Sequence, residues 1–301
     1  MKVIVGGGIA GLWLAAEYKY LGIPFLLIEK NFLGSDQTLA SQGMIHGGTK
    51  YSLNGYITKS STEISKMPKV WRDAIAGVGN VKLDKIVLEQ NFQYLWSSDN
   101  ISSKVTGFFA SKLMNSKLLK INQKDDVTFL SSKEKLILYK LNEPIINVKK
   151  TIEILYDRVE KHCFKADVKK INLKEGLFSS IDTDYGEIKA SEIILTAGIG
   201  NEKILKNSEI YDLKIQKRPL AMSVVFVKGK IPKLYGHYFG LGSKPIMTIS
   251  THNYLNGTIL YLGGEMAESG VLKTDKEQIE ETKKILKKTL PWINLKIQKI
   301  S

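Results

Sequence analysis

Gly6, Gly8, Gly11 and Glu29 are the residues whose types and spacing speak most directly of chemistry. The run Gly6-Gly7-Gly8-Ile9-Ala10-Gly11 carries the G-x-G-x-x-G spacing, and Glu29 follows 18 residues after Gly11. In such a run the first glycine permits a tight turn, the second lets a pyrophosphate approach the backbone, and the third lets a helix pack close to a sheet. The helix start offers N–H groups and the positive end of a dipole to phosphates. Glu29 can accept hydrogen bonds from the hydroxyls of a ribose. This is a dinucleotide site; a glycine-rich helix–sheet unit without a ligand would leave Glu29 unexplained.

A second set of residues could move protons or hold an anion. Histidine titrates near neutrality and suits a general base. The chain has four: His46, within Ile45-His46-Gly47-Gly48, His162, His237 and His252. His46 has the strongest positional claim and His237 is a second catalytic candidate. His252 is weaker, because a lone histidine on a strand is more often structural, and His162 sits on a helix face. Arg218, one of three arginines with Arg72 and Arg158, could bind a carboxylate or phosphate through its fork, or pair with a local acid.

These residues need elements to hold them. Lys2–Val5 and Phe25–Ile28 are short apolar runs that read as strands. Ile9, Leu12, Trp13, Ala16 and Tyr20 recur at helical spacing between them, and Gly22 and Pro24 end that helix. A helix is expected over 62–76, and strands at Ile86–Glu89 and Phe92–Trp96. Val105, Phe108, Phe109 and Leu113 give a helical face, and Val127–Tyr139 alternates apolar runs with charge. Asn147 can cap a helix that buries Ile152, Leu155 and Val159. Leu177–Ile188 reads as an antiparallel excursion turning at Tyr185-Gly186. Ser191–Gly200 is a strand running into Thr196-Ala197-Gly198, with a helix from about Asn201. Residues 211–270 are strand-like, Thr274–Lys288 is an amphipathic helix, and Trp292–Ile297 begin a last strand after Pro291.

Composition narrows the class. The chain has 301 residues, is 43% hydrophobic and carries a formal charge of +14. The basic residues are mostly dispersed lysines, which read as a solvated surface, so no nucleic-acid partner is expected; weak attraction to an anionic membrane stays open. No apolar run reaches the roughly 18 residues that span a bilayer. No leader is expected before the first strand. Cys163 is the only cysteine, which fits a reducing, cytoplasmic setting and supplies no metal-ligand pattern.

The first 51 residues resemble FAD-dependent oxidoreductases of the D-amino-acid oxidase type. Ile45-His46-Gly47-Gly48 with Tyr51 resembles the I-H-G-G-x-x-Y of flavin-linked glycerol-3-phosphate dehydrogenases and the I-H-A-G of L-2-hydroxyglutarate dehydrogenases. The resemblance implies that Ser41, Gln42, Gly43, Met44 and His46 run beside the pyrophosphate and isoalloxazine of a non-covalent FAD. Gln42 departs from the serine common at that place. The resemblance also adds Ile9, Ala10 and Lys30 to the cofactor contacts, with Val168 meeting the adenine through its backbone and Thr196, Ala197 and Gly198 meeting the phosphates and ribityl chain.

The expected architecture is α/β: a Rossmann-like FAD-binding domain from 1–78 and 145–210, interleaved with an α+β substrate domain from 79–144 and 211–301 on a mixed or antiparallel sheet. The expected reaction is hydride transfer to flavin N5 from a small anionic substrate, a 2-hydroxy acid ahead of glycerol 3-phosphate or an amino acid. Oxygen, a quinone or a carrier protein would take the electrons. An NAD(P)-linked reductase and a basic, non-catalytic binding protein remain alternatives. The family closes its flavin site with a later glycine-containing loop and helix, and no glycine follows Gly270. The chain therefore reads as shortened, with weak, exchangeable FAD binding and little turnover expected of it alone.

Overall fold

The glycine motif requires a strand ahead of it and a helix behind it. In the computed structural model β1 (Lys2–Val5) enters the motif, α1 (Ile9–Tyr20) leaves it, and β2 (Phe25–Glu29) follows. The structure describes residues 1–47, 59–98, 118–210, 219–242 and 244–301. After β2 the elements in order are α2 (Lys59–Ile75), β3 (Leu88–Gln90), β4 (Gln93–Ser98), β5 (Leu118–Lys120), β6 (Leu136–Leu141) and β7 (Ile145–Ile146). Next come α3 (Val148–Val159), β8 (Cys163–Lys165), β9 (Val168–Lys174), β10 (Leu177–Thr183), β11 (Gly186–Lys189), β12 (Glu192–Leu195) and α4 (Gly200–Asn207). The chain ends with β13 (Ser223–Lys228), β14 (Tyr235–Phe239), β15 (Pro245–Tyr254), β16 (Gly257–Gly263), α5 (Glu265–Gly270), α6 (Asp275–Thr289) and β17 (Ile297–Ile300).

The chain forms two units. The first comprises 1–43, 70–89 and 146–217; the second comprises 44–69, 90–145 and 218–301. The first unit thus takes in 79–89, and the second takes in 44–69.

The first unit is built on a parallel sheet of order β12-β1-β2-β8. Val3 and Ile4 have no exposed surface, as expected of a parallel strand covered on both faces. Val5 pairs with both Ile28 and Leu195, so three strands end together, and ligands bind at such carboxyl ends. α1 buries Gly11, Leu12, Ala15 and Ala16. α3 buries Thr151, Ile152, Leu155 and Val159. β9–β11 form the small antiparallel sheet read from the sequence.

The second unit is an eight-stranded sheet of order β17-β13-β16-β15-β14-β4-β6-β5. It is mixed, because β14 runs parallel to β4 while the other pairs are antiparallel. Its core joins Tyr94, Trp96, Phe129 and Tyr238 to Leu286 and Leu290 at the end of α6. Trp96 is fully buried, which makes it packing rather than pocket. Thr274 and Glu277 form a capping box that starts α6.

Three expected elements differ, each for a local reason. Residues 85–87 are a 3-10 turn, because the Asp84 carboxylate accepts the Ile86 N–H at 2.8 Å; the strand begins at Leu88. Within 127–139 only the end is strand. Asp126 anchors the preceding loop by accepting from Tyr94 Oη and Lys140 Nζ, each at 2.8 Å, and from the Thr128 N–H at 3.1 Å. Burial would raise that carboxyl's pKa, but these partners outweigh burial and hold it below the usual value. The last strand starts at Ile297 because Trp292 Nε1 donates to the Thr128 carbonyl at 2.9 Å and Ile293 N–H donates back to Leu290. Val105, Phe108, Phe109 and Leu113 lie outside the described residues.

Asn147 starts α3 by accepting the Lys150 N–H at 3.0 Å, and its Nδ2 donates to Glu89 Oε1 at 2.9 Å. Asn147→Ala should cost about 1–2 kcal/mol, measured as a lower thermal midpoint. An unchanged midpoint would show that the cap contributes nothing.

Candidate active site

The nucleotide cleft of the first unit is set by a crossing of three segments. Thr196 Oγ1 lies 2.9 Å from both the Val5 and Gly6 carbonyls, and Thr196 N–H donates to Val5 at 2.8 Å. Gly6 adopts φ +113°, and a Cβ there would lie 2.6 Å from the Ala197 backbone. A Cβ on Gly11 would lie 1.9 Å from the Gly6 carbonyl oxygen and 2.8 Å from Thr196 Oγ1. Two of the three glycines are therefore demanded by the protein itself.

Gly8 is different. Its φ of −77° suits any residue, and among the described residues the only atom within 4 Å of an added Cβ is Thr38 Oγ1, at 3.0 Å, a side-chain atom that would have to give by a few tenths of an ångström. Gly8 lines a cleft of about 380 Å³ together with Gly6, Glu29, Lys30, Val168, Thr196, Ala197 and Gly198. A glycine that the fold does not require, facing a cleft, is what a closely approaching phosphate would need. Ile9 N–H donates to Thr38 Oγ1 at 3.2 Å, and the first intrahelical bond runs from Leu12 to Gly8. Ala10 and Gly11 are thus in the first turn, where N–H groups have no helical acceptor and can meet an anion.

Glu29 is held in place by the Gly7 N–H on Oε2 at 2.7 Å and the Asn31 N–H on Oε1 at 2.8 Å. Each oxygen keeps a further lone pair, so a ribose diol can still be bound. Asp36 and Asp167 line the same cleft. The residues present therefore fit the ADP half of FAD.

Ser41, Gln42 and Gly43 belong to the first unit but not to the lining of this cleft. Ser41 Oγ donates to the Thr38 carbonyl at 2.8 Å. Gly43 has φ +67°, and a Cβ there would strike the Ile146 carbonyl at 2.2 Å. Thr38, Gln37 and Lys203 also line the cleft without having been singled out as ligands; their signal was weak, a hydroxyl, an amide and a lysine in polar text.

Met44 and His46 belong to the second unit. Met44 forms an isolated bridge with Ile145, and Ile45 N–H donates to the Pro144 carbonyl at 3.0 Å. This register sets Glu143 beside His46. Glu143 Oε1 accepts the Gly47 N–H at 2.6 Å, and Oε2 lies 3.5 Å from His46 Nδ1. Glu143 carries little local signal, an acid in Leu141-Asn142-Glu143-Pro144 just ahead of the apolar pair Ile145 and Ile146.

The His237 ring lies 5.7 Å from that of His46, centroid to centroid. The Ile45 carbonyl accepts from Gln93 Nε2 at 3.3 Å, which turns Gln93 Oε1 toward His237 Nε2 at 3.0 Å. His237 Nε2 then donates, and Thr248 Oγ1 donates to Nδ1 at 3.0 Å. His237 is 2% exposed. A ring buried this deeply and bonded at both nitrogens is held within the framework of the second unit. His252 bonds Ser250 Oγ at 2.9 Å, and His162 packs on Phe25. Burial, with Glu160 adding, pushes the Cys163 thiol up to about 11, which makes it a poor nucleophile. Arg218, Gly48 and Tyr51 lie outside the described residues.

The glycine geometry separates folding from binding. Gly11→Ala should destabilise the protein without any ligand by about 1–3 kcal/mol or more. Gly8→Val should melt close to the parent yet lose FAD. Thermal melts and FAD titrations check both; FAD retained by Gly8→Val would contradict the assignment of the cleft.

A family model described as FAD dependent oxidoreductase (DAO) matches residues 2–91. The chain is 38% identical over 298 residues to a probable FAD-dependent oxidoreductase of Pseudomonas aeruginosa, a match covering 97% of this chain and 75% of that protein. The crystal structure of the FAD dependent oxidoreductase from Pseudomonas aeruginosa superposes with a TM-score of 0.80 and 30% identity, covering 100% of this chain and 75% of the other. An iminodiacetate oxidase from Chelativorans sp. BNC1 shares the fold, with a TM-score of 0.71 and 13% identity over 100% of this chain and 82% of that one. The glycine cradle, the carboxylate at the end of β2 and these likenesses agree: the chain belongs to the DAO family of FAD-dependent oxidoreductases.

Proposed function

We propose that the chain oxidises a small carboxylate at the carbon bearing its hydroxyl, a 2-hydroxy acid, with His46 as the proton acceptor. The observation that supports this most is the partly exposed imidazole of His46, with Nδ1 3.5 Å from the buried Glu143 carboxylate. A bound FAD would supply the acceptor for the hydride, held by the residues of the first-unit cleft. His46 takes the hydroxyl proton at Nε2 as the carbinol carbon becomes a carbonyl. A hydroxyl stays protonated across the neutral range, so its oxidation calls for a base. An amine can enter as its free base and calls for none.

A second reading comes from the fold. The iminodiacetate oxidase that shares it acts, by its name, on an amino dicarboxylate, so oxidation at carbon alpha of an amino or imino acid is the competing substrate class. Both classes carry a carboxylate, for which Arg218 is the proposed anchor on its residue type alone. No helix among the described residues is long and apolar enough to cross a membrane, and the proposed setting is cytoplasmic.

The test is anaerobic bleaching of the visible flavin absorbance, in protein supplemented with FAD, across 2-hydroxy acids, glycerol 3-phosphate and amino acids. A 2-hydroxy acid should bleach the parent, and His46→Asn should slow that step by about 10²- to 10⁴-fold. Bleaching by an amino acid at equal rates in parent and His46→Asn would overturn the hydroxy-acid reading. Arg218→Lys should lower kcat/KM about tenfold or more, since the two-pronged contact is lost while the charge is kept; an unchanged value would remove Arg218 from the site.

A further inference from the structure

We propose that Glu143 is the positioning residue of this site: it fixes His46 in the tautomer that carries hydrogen on Nδ1 and leaves the Nε2 lone pair free. The inference rests on the reading of His46 as the proton acceptor, but its geometry stands apart from any substrate.

Backbone register places the carboxylate. The bridge between Met44 and Ile145 and the bond from Ile45 N–H to the Pro144 carbonyl run the two segments side by side, and Glu143 reaches Gly47. The Glu143 side chain is 4% exposed against 33% for His46. A carboxylate is costly to bury unless it is hydrogen-bonded and faces a partner that can become positive. Gly47 N–H holds Oε1 at 2.6 Å, and Oε2 lies 3.5 Å from His46 Nδ1, at ion-pair range.

The chemistry follows from what a carboxylate can do. It accepts and does not donate, so the hydrogen of a neutral imidazole beside it belongs on Nδ1. A carboxylate behind a histidine holds that tautomer in acyl-transfer triads as well. His237 is the other titratable ring facing His46, and its nitrogens are engaged with Gln93 and Thr248. Gly47 fits the same arrangement: a Cβ there would lie 2.8 Å from Glu143 Oε1 and 3.2 Å from Pro68 Cγ, so a larger residue would push the carboxylate aside.

The experiment is ring ¹⁵N NMR on the full chain, which has only four histidines; the His46 signals are those lost in His46→Asn. The parent should show His46 with hydrogen on Nδ1. Glu143→Gln should move it toward the Nε2–H form and lower kcat ~10- to 100-fold with little change in KM, while FAD content stays as in the parent. Gly47→Ala should move the tautomer the same way with Glu143 still present, which covers the case in which Glu143→Gln does not fold. An Nε2–H parent, or a tautomer indifferent to both substitutions, overturns the proposal. If the tautomer responds as expected but His46→Asn keeps full flavin reduction, the proton-acceptor reading fails and the positioning of His46 by Glu143 stands.

Discussion

The close crossing of Gly6, Gly11 and Thr196 is the constraint on which the nucleotide site depends. The Gly6 carbonyl occupies the space a Gly11 side chain would take, and the Thr196 hydroxyl sits against the same carbonyl. With β1, α1 and β12 locked at that point, the turn between them has one course. That course exposes Gly8 to the cleft and lets Gly7 N–H hold Glu29. The exposed start of α1 and the placement of the Glu29 carboxylate are thus consequences of how three backbones pack.

The second unit orients its chemistry by a different device. Buried polar groups must find partners or cost stability, and here the partners form chains. Thr248, His237, Gln93 and the Ile45 carbonyl are joined in sequence, and Ile45 N–H is tied to Pro144. His46 stands one residue beyond this fixed peptide, with Glu143 brought alongside by the same pairing.

What could be read from the sequence was what local rules decide. The strand–glycine–helix–strand–acid order, the Asn147 cap, the hairpin turning near Gly186 and the α6 helix follow from spacing, capping and turn chemistry, and they appear in the structure. What could not be read depends on partners far away in the chain. Glu143 is 96 residues from the Gly47 N–H it accepts from, and His237 is 144 residues from Gln93, so no local pattern marks the first as buried beside a histidine or the second as bonded at both ends. The late start of the final strand has the same origin, since the Trp292 indole reaches back to Thr128. Gly8 and Gly11 look equivalent in the motif; only the packing shows that the backbone crossing demands Gly11, while Gly8 faces the cleft.

The central claim is that the cleft at the ends of β1, β2 and β12 recognises the adenosine and pyrophosphate of FAD. Competition calorimetry tests it directly: the chain is titrated with FAD alone, and then in the presence of ADP or of FMN. ADP should weaken the apparent FAD affinity in proportion to its concentration, and FMN should leave it nearly unchanged, because ADP carries the groups that Glu29 and the α1 N-terminus would hold. FAD binding blocked by FMN and indifferent to ADP would contradict it.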